Sequence, residues 1–156
     1  MNKRLCSVII ACFIILSFST SSIAADSSYT PDFLVKSSVE PYASAYLSDY
    51  SISFGARDNC RMVITMDVNG VRTMDKIGCQ MLVIEKKING EWILDEILLG
   101  IDHPDFYEYN TPSYFGSTDF YGVAGVQYRV TMTAYALDST GHDTGEVTSY
   151  VVTCRE

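Results

Sequence analysis

The sequence predicts an all-β protein, an antiparallel β-sandwich of about seven strands, and two observations support this prediction. From Tyr46 onward, segments of about ten residues alternate apolar and polar side chains, and glycine, asparagine or aspartate separates them. No segment keeps the longer period of an amphipathic helix, and the chain holds no internal repeat. Short alternating strands with frequent turns are typical of sandwiches.

The start of the chain predicts a secretory signal peptide over residues 1–24, with cleavage after Ala24 or Ala25. Two basic residues precede an apolar run over 5–18, and small polar residues follow. This run is too short for a bilayer-spanning helix, which needs about 20 residues. The sequence therefore predicts a secreted protein, and lipidation at Cys12 is the alternative.

Residues 25–45 are predicted to be a flexible lead-in, because they show no period and contain Pro31 and Pro41. The sandwich domain is predicted to span residues 46–156. Within it, residues 46–56 supply a first strand.

The next strands show alternation most clearly. Residues 60–68 are predicted to place one set of apolar side chains on a single face: Met62, Ile64, Met66 and Val68. A separate strand over 76–87 is predicted to place another such set together: Ile77, Cys79, Met81 and Val83. Asn89-Gly90 predicts a tight hairpin turn into a partner strand over 91–99, since both residues tolerate positive φ.

The last hairpin is predicted from residues 126–137 and 146–154, joined by a polar loop over 138–145. In "VAGVQYRV", a glycine stands three residues before Tyr128, and Val130 and Met132 follow in alternation. This arrangement resembles the tyrosine corner of immunoglobulin-like and fibronectin III-like sandwiches. There the tyrosine hydroxyl bonds to the backbone a few residues upstream.

The span from Tyr46 to Cys154 also resembles a family of small secreted proteins of Gram-positive bacteria whose function is unassigned. The resemblance is carried by "DKIGCQMLVIEKKINGEW", an aromatic-rich link and "GVAGVQYRVTMTAYA". It implies an immunoglobulin or fibronectin III-like sandwich. These motifs specify a fold and imply no reaction.

Charge limits the partners of the secreted form. The chain has 11 Lys and Arg against 19 Asp and Glu, and loss of the two leader cations leaves 9 against 19, or −10. Such a chain is repelled by nucleic acid and by anionic lipid surfaces. We therefore expect no nucleic-acid binding and no membrane insertion after cleavage.

Three cysteines follow the leader, so at most one internal disulfide is expected, together with one free thiol. In the predicted up-and-down topology, Cys60 and Cys154 lie at the same end of the sandwich on facing sheets. Cys79 lies at the other end, on the inward face. The sequence therefore predicts a Cys60–Cys154 disulfide and a buried, free Cys79.

No arrangement of residues predicts catalysis, a cofactor or a metal site. His103 and His142 lie in predicted turns without the spacing of zinc ligands. The acidic residues of the 138–146 loop miss the frame of a calcium-binding loop and suit an ordinary turn, with weak calcium binding as the alternative. A hydrolase would need converging carboxylates, and no pair stands out. The protein is predicted not to be an enzyme.

Seven aromatic residues lie between Phe106 and Tyr121, mostly as adjacent pairs, so one ring of each pair is expected to face away from the core. Tyr109, Tyr114 and Tyr121 are the candidates for an exposed binding cluster. The predicted function is a secreted interaction module that binds an extracellular protein or glycan. The alternatives are a carbohydrate-binding module and a structural envelope protein without a specific ligand.

Overall fold

The computed structural model describes residues 35–39 and 44–156. The predicted signal peptide and Cys12 lie outside this range. The described residues form an all-β protein without an α-helix. Its strands are β1 (Val35–Val39), β2 (Leu47–Ala56), β3 (Arg61–Ile88), β4 (Glu91–Leu99), β5 (Tyr107–Tyr121), β6 (Gln127–Asp138), β7 (Gly141–Thr148) and β8 (Val152–Thr153). A single 3₁₀ turn, Pro104–Phe106, precedes β5.

The long strand β3 joins all the others into one antiparallel sheet. Its first half pairs with β2 on one edge and with β5 on the other, through residues 62–70 and 61–78. Its second half pairs with β6 and β4, through residues 76–86 and 81–88. Because residues 76–78 pair with both β5 and β6, these two strands lie on opposite edges. One edge of β3 therefore carries β2 and then β6, while the other carries β5 and then β4.

This arrangement curls the sheet around a core. β2 and β6 follow each other along the same edge of β3, and β7, next to β6, returns to contact β2. The contact is close: a Cβ on Gly145 of β7 would lie 2.4 Å from the ring of Tyr50 on β2. Side chains of the concave face are buried, the largest being Tyr114, Tyr128, Phe54, Phe106, Leu47 and Ile52.

The predicted alternation is confirmed in the first half of β3 and wrong in the second. Met62, Ile64, Met66 and Val68 are all fully buried. Further along the strand, Ile77 and Cys79 are buried as expected, but Leu82 and Ile84 are buried in place of Met81 and Val83. The pairing with β6 shifts between Cys79 and Met81, so Gln80 is an extra residue that moves the following side chains to the opposite face.

Two predicted breaks between strands are absent. The separate strands predicted over 60–68 and 76–87 are one continuous strand, since residues 69–75 stay extended and only the pairing with β2 and β5 is irregular there. The polar loop predicted over 138–145 is a short turn, because β7 already begins at Gly141 and pairs with the end of β6. The predicted lead-in also contains β1, which pairs with β2.

Two local predictions are confirmed. Asn89 and Gly90 have positive φ, 52° and 90°, in the turn between β3 and β4. The hydroxyl oxygen of Tyr128 accepts a hydrogen bond from the backbone N–H of Val123, at 3.0 Å, as in a tyrosine corner. The described residues form one curled sheet, so the immunoglobulin or fibronectin III-like assignment stays a prediction.

Gly78 allows three strands to meet closely at the middle of β3. It pairs with Tyr107 of β5 on one side and Tyr135 of β6 on the other. Its φ of +153° is rare for other residues, and a Cβ there would lie 2.0 Å from the carbonyl oxygen of Phe106. Glycine is therefore required at this position, where the strands beside β3 change from β2 and β5 to β6 and β4.

We expect Gly78→Ala to lower the free energy of unfolding by about 3 kcal/mol, because the substitution adds both backbone strain and a steric clash. Urea unfolding of residues 25–156 would measure this change. Gly125→Ala is the control, since Gly125 has φ +76° but open space around its Cβ position. We expect it to cost about 1 kcal/mol. Equal losses in the two variants would show that the approach to Phe106 imposes no constraint.

Candidate binding surfaces

The predicted tyrosine cluster does not form. Tyr109 and Tyr121 are 61% and 73% exposed, but they lie twelve positions apart on β5, or up to about 40 Å in an extended strand. Tyr114 is only 2% exposed, and its hydroxyl donates a hydrogen bond to the carbonyl oxygen of Asp105 at 3.1 Å. The expectation that Tyr114 is exposed is therefore wrong, because its position on β5 faces the core.

The pairs of adjacent rings do divide between the two faces, as expected from an extended chain. Tyr114 is buried and Phe115 exposed, while Phe120 is half-buried against the core and Tyr121 exposed. Burial raises the pKa of the Tyr114 phenol above its ordinary value. β5 is thus mainly a structural strand with scattered exposed rings.

A larger apolar surface lies on β4, which the sequence analysis treated only as a hairpin partner. In the described part of the chain, β4 pairs with β3 alone, so its second edge has free backbone groups. Leu94, Ile97 and Leu99 are 57%, 45% and 42% exposed. Their cross-strand partners are Glu85, Val83 and Met81, on the outer face of β3. The residues Leu94, Ile97, Leu99, Val83 and Met81 are named the β4 stripe.

Charged and aromatic groups close one end of the β4 stripe. Arg129 donates two hydrogen bonds to the carboxylate of Glu85, at 2.7 and 3.0 Å, and its guanidinium lies 4.5 Å from the ring centre of Trp92. These hydrogen bonds hold the pKa of Glu85 below its ordinary value. Lys86 pairs with Asp95 at 2.6 Å. The sole tryptophan of the chain therefore reports on this surface.

A pocket with a volume of 410 Å³ lies at the opposite end of the β4 stripe. Its wall is formed by Lys76, Gln80, Leu99, Ile101, Tyr107 and Tyr135. The rings of Tyr107 and Tyr135 meet edge to face at 6.2 Å, across Gly78. The ammonium of Lys76 lies 3.5 Å from the centre of the Tyr107 ring. No local pattern in the sequence predicts this pocket; Lys76, Gly78 and Gln80 at alternate positions of one strand are only a weak signal.

Cys60 and Cys154 lie side by side, 2.6 Å apart. Both are free thiols in the structure, and no disulfide joins them. Backbone hydrogen bonds hold the two segments together, since the Cys60 N–H bonds to the Arg155 carbonyl at 2.7 Å. Cys79 is fully buried elsewhere, and burial raises the pKa of its thiol to about 12. The expected proximity of Cys60 and Cys154 is thus present, without the covalent bond.

The histidines and the 138–146 segment have structural contacts. His103 stacks on Phe106 at 4.8 Å, and His142 lies 5.6 Å from the Tyr135 ring. Asp138 accepts hydrogen bonds from the hydroxyl and the N–H of Thr140 and from Arg72. Among the residues described by the structure, no group of three His, Cys, Asp or Glu side chains could hold a metal ion.

Neither a protein-family model nor a curated protein matches the sequence. Over residues 35–39 and 44–156, no helix is long and apolar enough to cross a membrane. The case for function therefore rests on the surfaces themselves.

We expect Asp138 to stabilise the fold in a pH-dependent way. The hydrogen bonds from Thr140, and then from Arg72, lower its pKa from 3.8 to about 2. A lowered folded-state pKa contributes stability above the unfolded pKa, and this contribution is lost as pH falls through the folded pKa. The stability difference between the native protein and Asp138→Asn should be constant above pH 3.8 and shrink toward pH 2.

Chemical unfolding at a series of pH values would measure that difference. Thr140→Val, which removes one donor, should move the loss to higher pH. A difference that does not change with pH would contradict the role of the Asp138 charge.

Proposed function

We propose that this protein is an exported, non-enzymatic interaction module that binds an extended segment of another protein along β4. One observation carries the proposal: within the described residues, β4 combines an unpaired backbone edge with the apolar β4 stripe on its outer face. Soluble proteins usually cover or blunt such an edge. An added strand would satisfy its backbone groups and bury the stripe.

The charges on β4 define the chemistry of the partner. The outer face of β4 is apolar, whereas its other face carries exposed Glu91 and Glu96. Among the described residues, no ion pair includes either glutamate. A strand with apolar residues on one side and basic residues on the other is therefore complementary. A second copy of this chain fits less well, because it would bring the same carboxylates together.

The carbohydrate-binding alternative has weaker support. Sugar rings stack on exposed, coplanar aromatic faces. Tyr109 and Tyr121 lie far apart on β5, and the Tyr107 and Tyr135 rings are inclined by 80°. Lys76 also covers the face of Tyr107. A structural envelope protein without a ligand would show no saturable binding, which the experiment below would detect.

Export and the sandwich class belong to the same proposal. The leader pattern of residues 1–24 supports export. The Tyr128–Val123 hydrogen bond supports an immunoglobulin or fibronectin III-like sandwich. In an oxidising compartment, the adjacent Cys60 and Cys154 would form the predicted disulfide.

We expect a synthetic ten-residue peptide of alternating valine and lysine to bind the protein saturably and to change Trp92 fluorescence. Ile97→Lys should weaken binding about tenfold, since it removes one buried isoleucine side chain from the complex. Val71→Lys is the matched control, because Val71 is a 46% exposed apolar residue outside β4. A peptide with the same composition, but with valines and lysines in separate blocks, controls for charge alone.

Equal binding of the two peptides, or equal loss in the two variants, would contradict the proposal. Sedimentation of the protein alone tests whether a second copy of the chain binds at β4 instead. A dimer that Ile97→Lys dissociates would identify a second copy in place of a partner. Absence of binding and of dimers would support the structural alternative.

Oxidised glutathione should convert Cys60 and Cys154 to a disulfide, with two electrons and two protons passing to the oxidant. Intact-mass measurement should show the loss of two hydrogen atoms. Cys79 should resist alkylation until the protein is unfolded, since its thiol is buried and its pKa is raised to about 12. Cys79→Ala should oxidise in the same way. Mixed disulfides with glutathione at Cys60 or Cys154, without the internal bond, would contradict the pairing.

A further inference from the structure

The pocket at the end of the β4 stripe has a distinct chemical character. It is open to solvent on the outer face, and its 410 Å³ lies within the range typical of small-molecule sites. Leu99 and Ile101 form an apolar wall, and Ile101 is 85% exposed, although it is a large aliphatic side chain. An aliphatic wall beside a cation and two phenols is suited to a ligand with one charged and one apolar part.

Lys76 supplies the charge. Its ammonium lies over the rings of Tyr107 and Tyr135, at 3.5 and 5.8 Å from their centres. The ion pairs found in the described residues use Lys36, Arg61, Arg72, Lys86 and Arg129, and none uses Lys76. The two rings attract the cation and fix its position, while its N–H groups keep their capacity to donate. Within the described residues, Lys76 is therefore a cation that two aromatic rings hold in place and that forms no ion pair, although the chain as a whole is strongly acidic.

The cation and the two rings of the pocket are built into the sheet, and of the lining residues only Ile101 lies in a turn, the one that follows β4. Lys76 and Gln80 project from β3, Tyr107 from β5 and Tyr135 from β6. The two tyrosines are the cross-strand partners of Gly78, and their rings meet across it, beside Lys76. Side chains on paired strands are more precisely placed than those on loops. The arrangement therefore precedes any ligand.

We propose that this pocket binds a small organic acid, with its carboxylate on Lys76 and its apolar body against Leu99 and Ile101. The ammonium favours an anion and disfavours a cationic ligand. A single ammonium suits one carboxylate, whereas bidentate recognition of phosphate favours guanidinium groups. The inclined tyrosine rings, one covered by Lys76, do not provide a stacking surface for sugars. This site is separate from strand addition at the β4 edge and does not depend on it.

The probes are straight-chain carboxylates of four, six and eight carbons, with hexan-1-ol as the uncharged control. Binding would be followed by NMR shifts of the Gly78, Gly100 and Ile101 amides in residues 25–156. We expect saturable shifts with the acids, and affinity that rises roughly two- to fourfold for each added methylene group. Hexan-1-ol should bind at least about tenfold more weakly than hexanoate, since it lacks the ion pair.

Variants separate the charge from the fold. Lys76→Gln should abolish the preference for hexanoate over hexan-1-ol, and Lys76→Arg should retain it. Lys87→Gln is the matched control: Lys87 lies on the same strand, 5.6 Å from the Trp92 ring centre, and is not part of the pocket. Ile101→Ser should reduce the dependence on chain length and keep the dependence on charge.

Three outcomes would overturn the proposal. They are equal binding of hexanoate and hexan-1-ol, equal loss in Lys76→Gln and Lys87→Gln, and shifts that do not saturate at millimolar acid. Peptide binding at β4, measured by Trp92 fluorescence, should be unchanged in Lys76→Gln. If the protein binds the peptide but not the acids, the pocket proposal fails and the proposed function stands. If it binds the acids but not the peptide, the proposed function fails and the pocket proposal stands.

Discussion

The hydrogen bonding of β3 along both of its edges is the constraint on which the rest of the structure depends. This single strand of 28 residues pairs with four others, two on each edge. Along one edge β6 takes the place of β2, and along the other β4 takes the place of β5, so the strands beside the first half of β3 do not continue beside its second half. The sheet must therefore curl, and its concave face encloses the core. Gly78 lies at the exchange, where the backbone of Phe106 leaves no room for a side chain.

The two candidate surfaces follow from that exchange. The extra residue Gln80 moves Met81 and Val83 outward, and β4 then places Leu99 and Ile97 beside them. Leu82 and Ile84, at the positions that alternate with these two, point into the core and fill it. The same shift thus produces an apolar outer face. On the edge of β3 that β5 and β4 share, the pairing with β5 stops at Gly78 and the pairing with β4 starts at Met81. The pocket lies beside this gap, next to Tyr107 and Tyr135.

Charge is distributed unevenly over the two faces of this part of the sheet. Arg129 and Lys86 are neutralised by Glu85 and Asp95. Both pairs are partly buried, and the Arg129–Glu85 pair removes the net charge from one end of the β4 stripe. The carboxylates of Glu91 and Glu96 on β4 and the ammonium of Lys76 in the pocket have no ion-pair partner among the described residues. A basic strand and an organic acid are therefore complementary to different parts of this region of the sheet.

The sequence by itself determined the all-β class, most strand positions, the Asn89-Gly90 turn and the Tyr128 corner. These depend on local periodicity, on positive φ and on a contact between residues close in the chain. Only the tertiary structure decided that residues 61–88 form one strand, that Tyr114 is buried and that Lys76 meets Tyr107 and Tyr135. The bulge at Gln80 moves the following side chains to the opposite face, and no residue type marks it in the sequence. Burial depends on which strands pair. Partners 30 to 60 residues apart are brought together by strand pairing, which alternation along a single strand does not encode.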